Sequence, residues 1–126
     1  MSNTTNKLWI AGAIAAALGV AVGAFGAHGL KPLLVLTGRV ETFETAVKYH
    51  FYHALGIMLL ATWAKTTNQP SIVKAGWLLL LGMCIFSGSL YALCLLQVAW
   101  LGAITPLGGV LMIIGWLYAA WKAATS

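Results

Sequence analysis

The chain has 126 residues, of which 61% are hydrophobic and 7% are charged, and its formal net charge is +5. Soluble domains carry about 25% charged residues, and a soluble domain of this size has too much surface for its volume to hide so much apolar side chain. The composition therefore excludes an ordinary soluble domain. It also excludes a nucleic-acid-binding protein, because the basic residues stand singly and form no patch.

The apolar residues form long continuous runs. A helix needs about 20 such residues to cross a hydrocarbon layer of roughly 30 Å, whereas the strands of a membrane barrel alternate in polarity. The runs predict an all-α fold, an integral membrane bundle of four transmembrane helices in a single domain over residues 1–126. The predicted spans are residues 8–27, 46–64, 75–96 and 104–121.

Small residues form a stripe along the first span at spacings of three and four, namely Gly12, Ala16, Gly19 and Gly23. Such stripes let two helix backbones approach closely in lipid. We expect this stripe to pack against another helix of the same chain, and an oligomer interface is the alternative. Lys7 and the apolar run after it resemble a secretion signal, but the run is long enough to span a membrane, so we expect it to be retained.

A short segment, residues 28–40, separates the first two spans. Pro32 and Gly38 predict a loop. The apolar residues between them, Leu33 to Leu36, favour attachment to the membrane surface. The second helix is predicted to begin near Glu41, where an acidic side chain suits the helix dipole.

Two histidines on the second helix, His50 and His53, are three residues apart and therefore share one face. Together with His28 at the end of the first helix they could ligate a metal such as zinc or copper. The alternative is that both rings are structural and hydrogen-bonded. The polar side chains with which chemistry could be associated are His28, Glu44, Lys48, His50, His53, Ser87, Ser89, Tyr91 and Thr105.

Serine catalysis is not expected, although the third helix carries Ser87 and Ser89. A serine nucleophile needs a base with an oriented partner, yet the chain contains no aspartate and no GxSxG motif. At the start of the fourth helix, Thr105 and Pro106 suit a first turn, because the missing proline N–H costs nothing there. The chain is therefore predicted not to be an enzyme.

Four motifs occur in order along the chain: residues 23–31 (GAFGAHGLK), 43–53 (FETAVKYHFYH), 86–91 (FSGSLY) and 104–109 (ITPLGG). In this combination the sequence resembles the small bacterial membrane proteins of domain of unknown function 423, to which eukaryotic transmembrane protein 256 is similar. The resemblance implies a multi-pass inner-membrane protein of about four helices with no assigned activity, catalytic residue or cofactor. It marks as polar family positions His28, Glu44, His50, Ser87, Tyr91, Thr105 and Pro106.

The leading hypothesis is a non-enzymatic structural, assembly or lipid-associated factor without a cofactor. Its expected partners are membrane lipids, with a second copy or another membrane protein as further partners. One alternative is a metal- or haem-associated redox accessory that uses His28, His50 and His53. The other is a small transporter or channel with a glutamate–histidine proton relay.

The predicted location is the bacterial cytoplasmic membrane, with both termini in the cytoplasm. An even number of spans places both termini on one side, which would carry four lysines, whereas the other side would carry three basic residues. Cytoplasmic segments are enriched in Lys and Arg, and this difference sets the predicted orientation.

Overall fold

The computed structural model describes residues 2–126, and helices account for nearly all of them. Their architecture confirms the all-α prediction. The helices are α1 (Ser2–Ala27), α2 (Lys31–Thr37), α3 (Val40–Thr67), α4 (Ile72–Leu96) and α5 (Thr105–Thr125), and a short 3-10 segment, Ala99–Ala103, precedes α5.

Three helical segments are long and apolar enough to cross a membrane: Asn3–Ala27, Ile72–Leu96 and Ala99–Thr125. They correspond to the first, third and fourth predicted spans. Helix α3 contains the second predicted span but is not among these segments, since its N-terminal half carries glutamates, a lysine and two histidines. Within residues 2–126 there are therefore three candidate membrane-spanning helices by length and composition.

Helices α3 and α4 form the centre of the bundle, and α1 and α5 flank them. Helix α1 packs along α3, α3 along α4, and α4 along α5, which is the antiparallel neighbour arrangement expected from short connections. Ile57 of α3 and Leu79 of α4 are fully buried where the central pair meets. Helices α1 and α4 run parallel and touch at one end, where Leu8 lies against Gly76.

The segment between the first two long helices is a helix, so the prediction of a loop there was wrong. Pro32 lies in the first turn of α2, where a helix tolerates it. Gly38 adopts φ 70° and caps the C-terminus by donating its backbone N–H to the carbonyls of Leu34 and Val35. Leu34 is buried against α3 and α4. A helix satisfies the backbone of this segment internally, which matters beside lipid.

The ends of the bundle differ in their side chains. The starts of α1 and α4 and the ends of α3 and α5 lie together, because neighbouring helices are antiparallel. This end carries four lysines and four tryptophans, which are Lys7, Lys65, Lys74, Lys122, Trp9, Trp63, Trp77 and Trp121. Tryptophan and lysine in such positions are typical of the membrane–water boundary.

Glycines of α1 allow its backbone to lie close to α3. A side chain at Gly12 would meet Cγ of Met58 at 2.7 Å and the carbonyl of Ala54 at 3.1 Å, and one at Gly19 would meet Phe51 at 2.9 Å. Gly23 lies opposite Val47, and Ala16 packs at the edge of the core. The small-residue stripe thus contacts another helix of the same chain.

We expect Gly19→Ala to lower the thermal stability of the purified protein, by about 1 kcal/mol in the free energy of unfolding. The new methyl group would overlap the Phe51 ring, and overpacking of about 1–3 kcal/mol exceeds the gain of roughly 1 kcal/mol from replacing a helical glycine. Thermal unfolding in detergent measures the change.

The graded control for this substitution is Gly23→Ala. Its methyl group would lie 3.3 Å from Val47 Cγ1, so a shift of a few tenths of an ångström relieves the contact and the helix-propensity gain should offset the cost. A Gly19→Ala variant at least as stable as Gly23→Ala would contradict the close approach of α1 and α3.

Candidate functional site

His50 joins three helices through its two ring nitrogens. Nε2 lies 2.7 Å from the backbone carbonyl of Ala15 on α1, and Nδ1 lies 2.8 Å from the hydroxyl of Tyr91 on α4. A carbonyl can only accept, so Nε2 carries the proton. In the neutral ring Nδ1 then accepts the hydrogen bond that the Tyr91 hydroxyl donates. The ring is 7% exposed, so this pairing also satisfies a buried polar group.

His53 carries its proton on the opposite nitrogen. Its Nδ1 lies 2.8 Å from the carbonyl of Tyr49, one turn earlier on the same helix, and therefore donates. Its Nε2 accepts from the indole N–H of Trp116 on α5 at 3.1 Å. The two histidines share a helix but not a site, because one bonds toward α1 and α4 and the other toward α5.

The two serines of α4 and Thr105 link α4 to α3 and to α5. The Ser87 hydroxyl donates to the carbonyl of Ala46 on α3 at 2.7 Å. Ser89 donates to the carbonyl of Phe86 at 2.9 Å, and its oxygen lies 2.6 Å from that of Thr105 at the start of α5. Since the Ser89 proton is directed at the backbone, Thr105 is the donor between the two hydroxyls. Neither serine is hydrogen-bonded to a histidine, so no nucleophile–base pair is assembled.

The remaining predicted polar residues lie at the end of the bundle opposite the termini. His28, Glu44 and Lys48 are exposed there, whereas His50 and His53 are buried. The predicted set of three histidines is therefore not brought together. Across residues 2–126, no group of three or more His, Cys, Asp or Glu side chains is placed to hold a metal ion. A ligand role for His50 or His53 would also require breaking the hydrogen bond at whichever ring nitrogen bound the metal.

A cavity of about 230 Å³ opens at this same end, between α1, α2 and the start of α3. Its apolar lining includes Gly23, Leu34, Phe43 and Val47, and its charged lining consists of Lys31, Glu44 and Lys48. The sequence motifs include all three charged residues, but Lys31 was not among the predicted polar residues. Its position depends on the helical fold of α2, which the Pro–Gly pattern did not predict.

A second, more open groove of about 500 Å³ runs between α1 and α4. Ile14, Leu18 and Met83 are among its apolar walls, and His50 and Tyr91 lie along its inner side. Gly88 also faces it, and a methyl group placed on this glycine would have no atom of another helix within 4 Å. The groove is therefore open to the hydrocarbon that surrounds a membrane helix.

A family described as "Protein of unknown function (DUF423)" matches residues 22–109. The chain belongs to this family. The matched region contains every one of the predicted polar residues from His28 to Thr105, together with Lys31, whereas Gly12, Ala16 and Gly19 precede it and Trp116 follows it.

Several membrane proteins of Bacillus and Staphylococcus are similar to this chain over most of its length. The UPF0382 membrane protein YwdK of Bacillus subtilis is 50% identical over 86% of this chain and 88% of its own. A UPF0382 membrane protein of Staphylococcus epidermidis is 50% identical, and SAB0533 of Staphylococcus aureus 44% identical, each over 86% of this chain and 87% of its own. No solved structure matches.

The family and these relatives establish a membrane protein of unknown function, as the sequence resemblance implied. They assign no activity. In the structure the predicted polar residues form two groups. One group is largely buried and links helices, and the other is exposed at the end of the bundle opposite the termini.

Proposed function

We propose that this chain is a non-enzymatic, four-span protein of the bacterial cytoplasmic membrane with a structural, lipid-associated role. The observation that carries the proposal is the pairing of the buried polar side chains with one another and with backbone carbonyls. His50, His53, Ser87, Ser89 and Thr105 all have such partners. Their hydrogen bonds are made within the bundle. The surfaces left for partners are therefore the apolar outer face of the bundle and its grooves.

Helix α3 supplies the fourth span. Its 28 residues extend roughly 42 Å at 1.5 Å per residue, more than the ~30 Å hydrocarbon layer. It lies between α1 and α4, and its two histidines are buried against protein. A central helix needs less hydrophobicity than a flanking one for this reason.

The proposed orientation places both termini in the cytoplasm. With four spans, the end that carries Lys7, Lys65, Lys74 and Lys122 is the cytoplasmic one by the excess of basic residues. That end also has no acidic side chain, whereas Glu41 and Glu44 lie at the other.

Lipid association is tested by purifying the protein from bacterial membranes in polymer-bounded discs, transferring it to a mild detergent and measuring retained phospholipid by native mass spectrometry. We expect wild type to retain phospholipid. Gly88→Leu should retain less, because a leucine there would fill the groove between α1 and α4. Ala21→Leu adds the same side chain at an exposed position of α1 outside that groove and should retain as much as wild type.

Two results would overturn the proposal. One is complete loss of lipid from wild type under conditions that preserve the fold. The other is a stoichiometric metal or haem in the purified protein, detected by elemental analysis or a visible spectrum, that is absent from the His50→Ala variant.

A further inference from the structure

The cavity between α1, α2 and α3 has a charge pattern that its role in the fold does not require. Lys31 comes from α2, while Glu44 and Lys48 are one turn apart on the same face of α3. The carboxylate of Glu44 and two lysine ammonium groups therefore line the same cavity. The rest of the lining is mostly apolar and includes Leu34, Phe43 and Val47.

These three charged side chains have no oppositely charged partner in the part of the chain that the structure describes. Among residues 2–126, Lys31, Glu44 and Lys48 form no ion pair within 4.0 Å. All three are exposed. Because none of the three is neutralised by a partner among the described residues, all three charges are available to a ligand that carries both signs.

The position of the cavity along the bundle indicates which ligand can reach it. Helix α3 is about 12 Å longer than the hydrocarbon layer is thick, and its first turns, which contain Glu44 and Lys48, lie at the end of the bundle opposite the termini. With α3 as the proposed fourth span, the cavity lies at the level of lipid headgroups, and its lining is both charged and apolar. The occupant should be an amphiphile.

We propose that this cavity binds the phosphoethanolamine headgroup of a membrane phospholipid. Lys31 and Lys48 contact the phosphate, Glu44 accepts hydrogen bonds from the primary ammonium group, and the start of an acyl chain lies along Val47 and Gly23. The inference deepens the proposed lipid association and rests on it. At about 230 Å³ the cavity is smaller than the ~300–1,000 Å³ of drug-sized pockets, which suits a headgroup.

The carboxylate distinguishes this headgroup from the other common ones. A phosphatidylglycerol headgroup has no cation for Glu44, so its binding would leave that charge beside the lipid phosphate. A phosphatidylcholine headgroup carries a quaternary ammonium without N–H groups and cannot hydrogen-bond to the carboxylate. Charge-assisted hydrogen bonds are about twice as strong as neutral ones, and this bond is available to the primary ammonium alone.

The test measures the dissociation constants of dioleoyl phosphatidylethanolamine, phosphatidylglycerol and phosphatidylcholine for the full chain in detergent by native mass spectrometry. We expect wild type to bind phosphatidylethanolamine about fivefold more tightly than the other two, a ratio that corresponds to ~1 kcal/mol. Glu44→Gln should abolish this preference. Lys31→Gln and Lys48→Gln should weaken the binding of all three lipids.

Glu41→Gln is the matched control, since Glu41 is an exposed glutamate one turn earlier on the same helix that does not line the cavity. It should keep the fivefold preference. Soluble phosphoethanolamine at the same concentration should fail to displace the lipid, because it lacks the acyl chains that contact the apolar lining of the cavity.

Three outcomes would overturn the inference: equal binding of the three lipids by wild type, a preference that survives in Glu44→Gln, or displacement by soluble phosphoethanolamine. The first two would leave the proposed lipid association intact, provided that wild type still retains phospholipid and Gly88→Leu retains less. Absence of any retained lipid would instead contradict the proposed function itself.

Discussion

Gly108→Ala should be strongly destabilising, with a loss of about 3 kcal/mol in the free energy of unfolding. A methyl group at Gly108 would lie 2.6 Å from the carbonyl oxygen of Gly82 and 2.9 Å from Cα of Phe86, and it would also clash with the backbone nitrogen of Phe86. All three are backbone atoms of α4, so no side-chain rotation relieves the overlap. The two helices would have to separate, and packing of this kind is what drives helix association in lipid.

The matched control is Gly88→Ala on α4. A methyl group there would have no atom of another helix within 4 Å, and alanine is favoured over glycine in a helix by roughly 1 kcal/mol, so the variant should be at least as stable as wild type. Unfolding by SDS titration measures both free energies. Equal stabilities of the two variants would show that α4 and α5 do not meet backbone to backbone at Gly82 and Gly108.

The sequence predicted the helices of this bundle well, because a long apolar run has few stable structures in lipid. The third predicted span, 75–96, lies within α4 (Ile72–Leu96), and the fourth, 104–121, lies within α5 (Thr105–Thr125) apart from its first residue. It did not predict α2. Pro32 and Gly38 are typical of both a loop and the two ends of a short helix, and what decides between them is the burial of Leu34 against Phe43 and Cys94, which no local pattern contains.

The sequence also located the polar residues but not their partners. His50 bonds to the carbonyl of Ala15, and Ser87 to that of Ala46. Every residue has a backbone carbonyl, so nothing in the sequence marks Ala15 and Ala46 as the acceptors. The spacing of His50 and His53 suggested a common ligand, yet neighbouring positions on one helix face differ in direction enough for the rings to reach different helices.

The two buried histidines lie on a helix that has a neighbour on each side. Helix α3 carries both buried histidines and is flanked by α1 and α4. The flanking helices α1 and α5 expose large apolar side chains such as Ile14, Leu18, Ile113 and Leu117. A polar side chain at membrane depth is tolerated where it faces protein, so a central helix can be less hydrophobic than a flanking one. A central position permits this composition but does not require it, because α4 is also central and is strongly apolar.

His50→Leu should cost about 2 kcal/mol, because it removes two hydrogen bonds and leaves the Tyr91 hydroxyl without its acceptor. Tyr91→Phe removes only one of them and should cost less. If the two side chains bond directly, the double variant should be more stable than the sum of the single effects predicts. The expected coupling is about 0.6 kcal/mol, which is the average for hydrogen bonds between helices in a membrane protein.

Tyr52→Phe is the control for the tyrosine substitution, since Tyr52 is a tyrosine of α3 that is 60% exposed and lies outside this hydrogen bond. It should leave the stability unchanged within about 0.5 kcal/mol. A Tyr91→Phe variant as stable as Tyr52→Phe, together with strictly additive free energies in the double variant, would contradict the His50–Tyr91 hydrogen bond. That bond and the one to Ala15 join α4 and α1 to α3, so its absence would remove half of the structural role assigned to His50.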